Sequence, residues 1–453
     1  MSAVDRTRPP ATPELPPFTL PVAVETVLEN GLSIVLVEDR RFPLVSARLG
    51  FFSGSKHEPP ELRGLADATA AVLIEGTASR TAKQIADETA ALGGSLRADA
   101  SPDALVIAGN ALAENLDALL DLIADVARNA TFPEEEVELR KQQSTQELLA
   151  ELSDAGYIAD EKVNEIVFGP HPYARQEPTL ESIARLDRTA LETFRNAHLA
   201  PNNAVLVLLG DLPSNAQALI ESRFGDWARR DAPAAPAAAF PAPRRSVVLV
   251  DRPGSVQADV RVARVSVTRS HPHYFPLLVA NTIVGGGASS RLFTSVREAK
   301  GYAYDARSVV QPMRDGGLFA AVTQVRNEVL KDALDAVIDE LRRIGAERAG
   351  DDEIATAQNY LSGTFVIRLE THESLAAQIV GTKLMGLPLE YLESYTARVR
   401  AVSAGDVRAA AAVHMNAADA AIVVVGDAKA LAPQLGSFGE VRLERVPSGG
   451  SAS

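Results

Sequence analysis

The sequence predicts an α+β fold of two homologous halves, each an antiparallel sheet covered by helices, joined by a Pro/Ala-rich linker. Three observations predict it. First, short β-branched runs and long amphipathic helical tracts follow one another in the same order twice. Second, the two passes are separated by Asp231-Ala-Pro-Ala-Ala-Pro-Ala-Ala-Ala-Phe-Pro-Ala-Pro, where four prolines among small residues favour a semi-extended chain. Third, residues 202–211 match residues 418–427 at a constant offset of 216, both as apolar strands ending in Gly-Asp. The same offset carries Leu191 to Val407 and His198 to His414. Apolar strands before Gly-Asp are common, so chance is the alternative to an internal repeat. These boundaries divide the chain into a flexible N-terminal segment 1–21, a first half 22–228, a linker 229–245, a second half 246–445 and a flexible tail 446–453.

In chain order, residues 22–50 read as strands. Glu29-Asn30-Gly31 supplies a hairpin signal between the first two. Residues 64–77 follow, with Leu65, Ala68, Thr69 and Val72 at helical spacing as one buried stripe and Gly76 as a candidate stop. Thr81 is a candidate cap for a helix to Leu92, closed by Gly93-Gly94. Residues 95–111 alternate as one or two strands, and 114–128 form an amphipathic helix. Pro133 and three glutamates start a long helix to about Leu152. Helices over 158–168 and 186–198 and a buried strand over 204–209 complete the first pass. The second repeats it: strands over 246–267, a helix over 277–283 ending in three glycines, strands over 304–325, helices over 329–344, 352–369, 375–384 and 404–413, and a strand over 421–425.

Composition narrows the function. Net charge is −14, a poor balance for neutralising phosphates, so general nucleic-acid binding is not expected. There is no cysteine, which excludes disulfides, thiolate catalysis and Cys-based zinc sites. No stretch of eighteen apolar residues is present, so no transmembrane helix is expected. The Pro-rich start lacks the apolar core of a signal peptide, which points to the cytoplasm, or to the periplasm if a signal was removed.

Four constellations are candidates for chemistry. Asp67, Ala70 and Ala71 fall at i, i+3 and i+4 on a second face of the 64–77 helix. That is the spacing of His-x-x-Glu-His, which places two zinc ligands and a carboxylate on one face. Taken alone, the residues describe an Ala-rich core helix rather than a zinc helix. Among seven histidines, only His271-Pro272-His273 is a close pair, of a kind that binds metal adventitiously; His198 and His414 read as structural, and no metal site is expected on the chain. Gly285-Gly286-Gly287 lacks both the Gly-Lys-Ser/Thr ending of a P-loop and dinucleotide spacing, so it reads as a helix end. Arg297 and Tyr304, seven positions apart, offer hydrogen-bond donors suited to a peptide carbonyl or carboxylate, or else form a surface salt bridge and a core tyrosine.

Taken in order, these features resemble the insulinase/pitrilysin-type inverted zinc proteases, a family that includes mitochondrial processing peptidase and bacterial two-subunit relatives. The resemblance spans residues 22–445. It rests on Gly64-Leu65-Ala66 and Gly76-Thr77, Thr131-Phe132-Pro133, His171-Pro172-Tyr173, Asn203 before Gly210-Asp211, and the run from Gly285 through Tyr304. It implies clam-like halves. It also implies that the family's ligand histidines fall on Asp67 and Ala71 and its catalytic glutamate on Ala70, with Glu147 as the remaining acid on the long helix. No cofactor is therefore expected on this chain, with zinc in a homologous His-x-x-Glu-His partner. The resemblance further implies that Arg297 and Tyr304 bind peptide and stabilise the reacting carbonyl of that partner's substrate. The expected function is the non-zinc subunit of a heterodimeric metallopeptidase, inactive alone; the alternative is an inert structural or assembly subunit of the same fold.

Overall fold

Continuous apolar runs build the centres of two sheets, where both faces of the strands Ala204–Gly210 and Ala421–Gly426 are buried. In the computed structural model, which describes residues 18–445, the first sheet contains β1 (Ala23–Val27), β2 (Ser33–Glu38), β3 (Leu44–Phe51), β4 (Ser95–Ala100), β5 (Leu105–Leu112) and β6 (Ala204–Gly210) in the order β1-β2-β6-β3-β5-β4. The second contains β7 (Ser246–Asp251), β8 (Gln257–Ser266), β9 (Ala303–Pro312), β10 (Gly317–Arg326), β11 (Ala421–Gly426) and β12 (Val441–Arg445) in the order β12-β7-β11-β8-β10-β9. The two-half α+β architecture holds, with mixed sheets. Most pairs are antiparallel, but β2–β6, β7–β11 and β12–β7 are parallel. Each parallel partner returns to its sheet after a long excursion through helices, so hairpin geometry does not set its direction. The segments expected to be flexible at 1–17 and 446–453 lie outside the described residues. Phe18 and Leu20, at the end of the N-terminal segment, pack against the second-half core.

Several helices start where an N-cap side chain satisfies a free amide. Thr81 caps the helix Ala82–Ala91 by accepting from the Gln84 amide, and Gln84 returns the bond in a capping box. Asp154 caps Ala155–Phe168, three residues earlier than the apolar pattern indicates. Asp187 caps Arg188–His198. The Leu65–Leu73 helix ends before Gly76, which instead sits at φ +153° in a bridge with Thr81. Helices Leu180–Arg185, Ala216–Phe224 and Glu390–Arg400 and strand β12 have no counterpart in the sequence reading. All are short or weakly patterned.

The offset of 216 holds in three dimensions. Helix Arg188–His198 and β6 correspond to helix Ala404–His414 and β11. Ala155–Phe168 likewise corresponds to His372–Leu384, and these two helices are exchanged. Ala155–Phe168, from the first half, packs on β8 and β11 of the second sheet, where Ile158, Val163 and Phe168 meet Val248, Val423 and Val425. His372–Leu384, from the second half, packs on β3 and β6, bringing Leu375, Ile379 and Val380 into a core with Val205 and Val207. Each such side chain contributes roughly 1.5–3 kcal/mol on full burial, so the exchanged helices bind the halves tightly. Residues 227–245 carry no helix or strand, and Phe240 within them packs against His171 at 4.5 Å and Phe168 at 5.8 Å between ring centroids.

Candidate functional site

The Leu65–Leu73 helix begins at Gly64, whose φ of +86° suits glycine. The Glu58 carboxylate accepts hydrogen bonds from the amides of Gly64 and Ala66, at 3.0 and 2.6 Å, which satisfies the helix start. Leu65, Ala68, Thr69 and Val72 are buried, as their spacing predicts. Asp67, Ala70 and Ala71 together line one side of a cleft of about 380 Å³. Edge strand β4 contributes Asp99, and the long helix Glu134–Glu151 contributes Arg140, Ser144 and Glu147.

These residues do not fit a zinc ion. Zinc needs three protein ligands from His, Cys or carboxylate. Ala70 and Ala71 present methyl groups, and no imidazole lines the cleft. Glu147 is already paired, its Oε2 lying 3.1 Å from Nη2 of Arg140. The Arg140 guanidinium brings a positive charge into the pocket that a dication would have to share. Asp67 keeps contact with solvent inside the cleft, yet desolvation by the surrounding protein raises its pKa against the lowering pull of Arg140. With alanine at position 70, no carboxylate stands there to take a proton from water.

Acid accumulates in the same cleft, which Glu151 and Glu177 also line. Burial, reinforced by Glu151, Glu161 and Asp67, pushes the Glu177 carboxyl up to about 7. Burial also raises Glu161 and Glu151. Glu151 lines a second groove, of about 570 Å³, which it shares with Tyr157 and Asp160 of the first half and with Asp305, Arg307 and Gln324 of the second.

Arg297 and Tyr304 come together at the edge of the second sheet. The helical turn Phe293–Ala299 anchors Val296 in the core, and Gly301 at φ +62° turns the chain into β9. The pairing of β9 with β10 slips between Thr323 and Val325, leaving Tyr304 and Asp305 in a bulge. Bulges re-aim side chains, and Tyr304 is 86% exposed. The Arg297 guanidinium carbon lies 5.1 Å from the Tyr304 ring centroid and 4.4 Å from that of Phe293. Among the described residues it has no carboxylate partner. This is a cation–π stack with donors left over, not the salt bridge and core tyrosine of the alternative reading. The pair does not line the Asp67 cleft, all of whose residues belong to the first half.

A cross-half network has no signal in the sequence. Lys56 is buried and places Nζ 2.8 Å from Asp103 and 2.9 Å from Asp315, which lies in the β9–β10 turn. Tyr173 donates its hydroxyl proton to Asp103 at 2.6 Å. Burial raises the Asp315 pKa, but the Lys56 ammonium outweighs it and holds the carboxyl below its ordinary value. Single charged residues far apart in sequence carry no periodicity by which such a network could be found.

Comparison with known proteins follows the same outline. Residues 33–176 match the sequence model described as Insulinase (Peptidase family M16), and residues 185–361 match that described as Peptidase M16 inactive domain. An uncharacterized zinc protease of Streptomyces coelicolor is 28% identical over 85% of this chain and 86% of its own length. The uncharacterized zinc protease YmxG of Bacillus subtilis is 23% identical over 76% of this chain and 84% of its own. A crystal structure of a peptidase M16 inactive domain from Pseudomonas fluorescens superposes with a TM-score of 0.83 at 26% identity, covering 89% of this chain and 98% of that one. A protease from Helicobacter pylori shares the fold, with a TM-score of 0.83 at 18% identity over 90% of this chain and 100% of that one.

Proposed function

From the premise that this chain belongs to the M16 insulinase family of peptidases, we propose that it is the zinc-free subunit of a two-chain metallopeptidase. The observation that carries the reading is a division within one molecule. Asp67, Ala70 and Ala71, which the reading puts at the family's metal positions, share a cleft with Arg140. The Arg297–Tyr304 pair, by contrast, stays solvent-facing and unpaired. In this reading a homologous His-x-x-Glu-His chain supplies zinc and the general base. This chain supplies a guanidinium and a phenol that hold the peptide carbonyl as negative charge develops on its oxygen. Such preorganised donors need only meet the metal across a closed chamber, and they need not share its chain.

The test is reconstitution. The purified chain alone leaves peptides intact, and adding a His-x-x-Glu-His homologue gives cleavage. Arg297→Ala and Tyr304→Phe each lower kcat of the complex by about 100–1,000-fold, the range for loss of one such donor, without weakening assembly. Unchanged cleavage in both variants would sink the donor role.

That second outcome belongs to the inert structural or assembly subunit, a reading favoured by the position of Tyr304 outside both grooves. A stable complex insensitive to either substitution establishes it. Robust cleavage by the single chain, unaffected by chelator, overturns both readings.

A further inference from the structure

The turn before helix Tyr274–Gly285 and the end of helix Ala404–His414 bring three histidines together. His271, His273 and His414 each offer a ring nitrogen within 4.8 Å of the other two. Nδ1 of His273 lies 3.0 Å from Nε2 of His414. The three rings form a nearly equilateral triangle, with centroid separations of 5.2, 5.5 and 5.2 Å. Their planes stand 74°, 84° and 74° apart. The rings stand edge to face, and what sets the cluster apart is that one nitrogen of each lies within reach of the other two.

We infer that His271, His273 and His414 form a binding site for a divalent transition metal such as zinc, nickel or copper. Imidazole donors suit these ions and disfavour magnesium or calcium. Metal–nitrogen bonds of about 2.0–2.1 Å in a tetrahedron place the nitrogens roughly 3.3 Å apart. The His273–His414 pair therefore needs to open by only a few tenths of an ångström. The proton now shared between those nitrogens shifts to the outer nitrogen of whichever ring carries it, so both lone pairs face the metal. His271 completes the set. Its Nδ1 accepts a hydrogen bond from the His273 amide at 3.0 Å, which leaves Nε2 of this exposed ring as the ligand atom. Three ligands leave a fourth position open to solvent. Nearby charge does not forbid a cation: Arg264 is neutralised by Asp419 at 2.7 Å.

The internal repeat supplies a built-in comparison. At the offset of 216, His57 corresponds to His273 and His198 to His414. The first-half pair also lies close, with ring centroids 5.3 Å apart. There His198 is buried against the Ser53 hydroxyl at 3.1 Å, and Ser55 stands where His271 would be. A histidine pair is thus common to both halves. The third, exposed ring that makes a ligand set is present in the second half alone.

The experiment uses the full chain without a histidine tag, dialysed against buffered zinc chloride and assayed by elemental analysis, with cobalt(II) substitution to read the ligand field. Wild type is expected to take up about one metal ion per chain, with visible d–d bands of a four-coordinate site. His271→Ala weakens binding at least about tenfold, the order expected for disturbing a metal's ligand shell. His273→Gln and His414→Gln abolish it, and His57→Gln leaves it intact. Because His271 is exposed, its variant decides the matter even if His414→Gln unfolds, which circular dichroism reports. Absence of uptake by wild type, or equal uptake by His271→Ala, overturns the site. The readout is independent of peptidase activity, so it stands or falls separately from the proposed function.

Discussion

Glu177 shows at the residue scale how acid is concentrated in the cleft that Asp67 lines. Its carboxyl is crowded by burial, Glu151, Glu161 and Asp67, which lift its pKa from 4.5 to about 7. An acid whose folded pKa stands above its unfolded value holds its proton preferentially in the folded state. The stability this gives is complete below about pH 4.5 and is lost as pH rises through about 7. Glu177→Gln stays neutral throughout. It is expected to melt about 1 °C above wild type at pH 8, the shift produced by roughly 1 kcal/mol in a chain of this size. The difference should vanish near pH 4.5. Equal melting temperatures at pH 8 would mean that Glu177 is not held in a repulsive site. Arg140 answers part of this charge, which fits its position beside Glu147 and Asp67.

The exchanged helices are the structural device at the scale of the element. His372–Leu384 lies so close to β3 that a Cβ placed on Gly50 would meet both Val380 Cγ2 and Leu384 Cδ1 at 2.9 Å. Gly50 is fully buried within a strand, so its role is clearance rather than an unusual backbone angle. Gly50→Val is expected to destabilise the protein by about 1–3 kcal/mol, the usual cost of overpacking. Chemical denaturation checks this, and a neutral result would mean the helix can retreat from the sheet. The same helix carries Glu373, which lies 3.1 Å from the fully buried Arg48 and 2.9 Å from Arg97, both in the first half. Burial and the neighbouring Arg97 lower the Arg48 pKa to about 10, and Glu373 opposes that shift.

Reciprocal exchange makes each half the lid of the other at the scale of the whole molecule. Residues 22–228 alone would leave Val35, Val37, Val205 and Val207 without the helix and second-half core that cover them. They would also leave Ala155–Phe168 without its sheet. Expressed separately, this half is expected to aggregate or remain molten, whereas the full chain unfolds in one cooperative transition. Size-exclusion chromatography and denaturant melts distinguish the outcomes, and a soluble, cooperatively folding half would show that the exchange is dispensable. No helix among the described residues is long and apolar enough to cross a membrane.

The sequence by itself determined the elements whose cause is local. Continuous apolar runs marked the central strands, and 3.6-residue patterns marked the amphipathic helices. Thr81 and Pro133 marked helix starts, and the offset of 216 revealed the internal repeat before any contact was known. It also determined what the cleft lacks, because Ala70 and Ala71 cannot bind metal in any conformation. Only the tertiary structure decided the rest, since those features join residues with no shared period. It set β2 parallel to β6, exchanged the two helices and aimed Tyr304 outward through a bulge. His271-Pro272-His273 is an ordinary pair in the sequence. His414 becomes its third member only because two helices, more than a hundred residues apart, pack side by side.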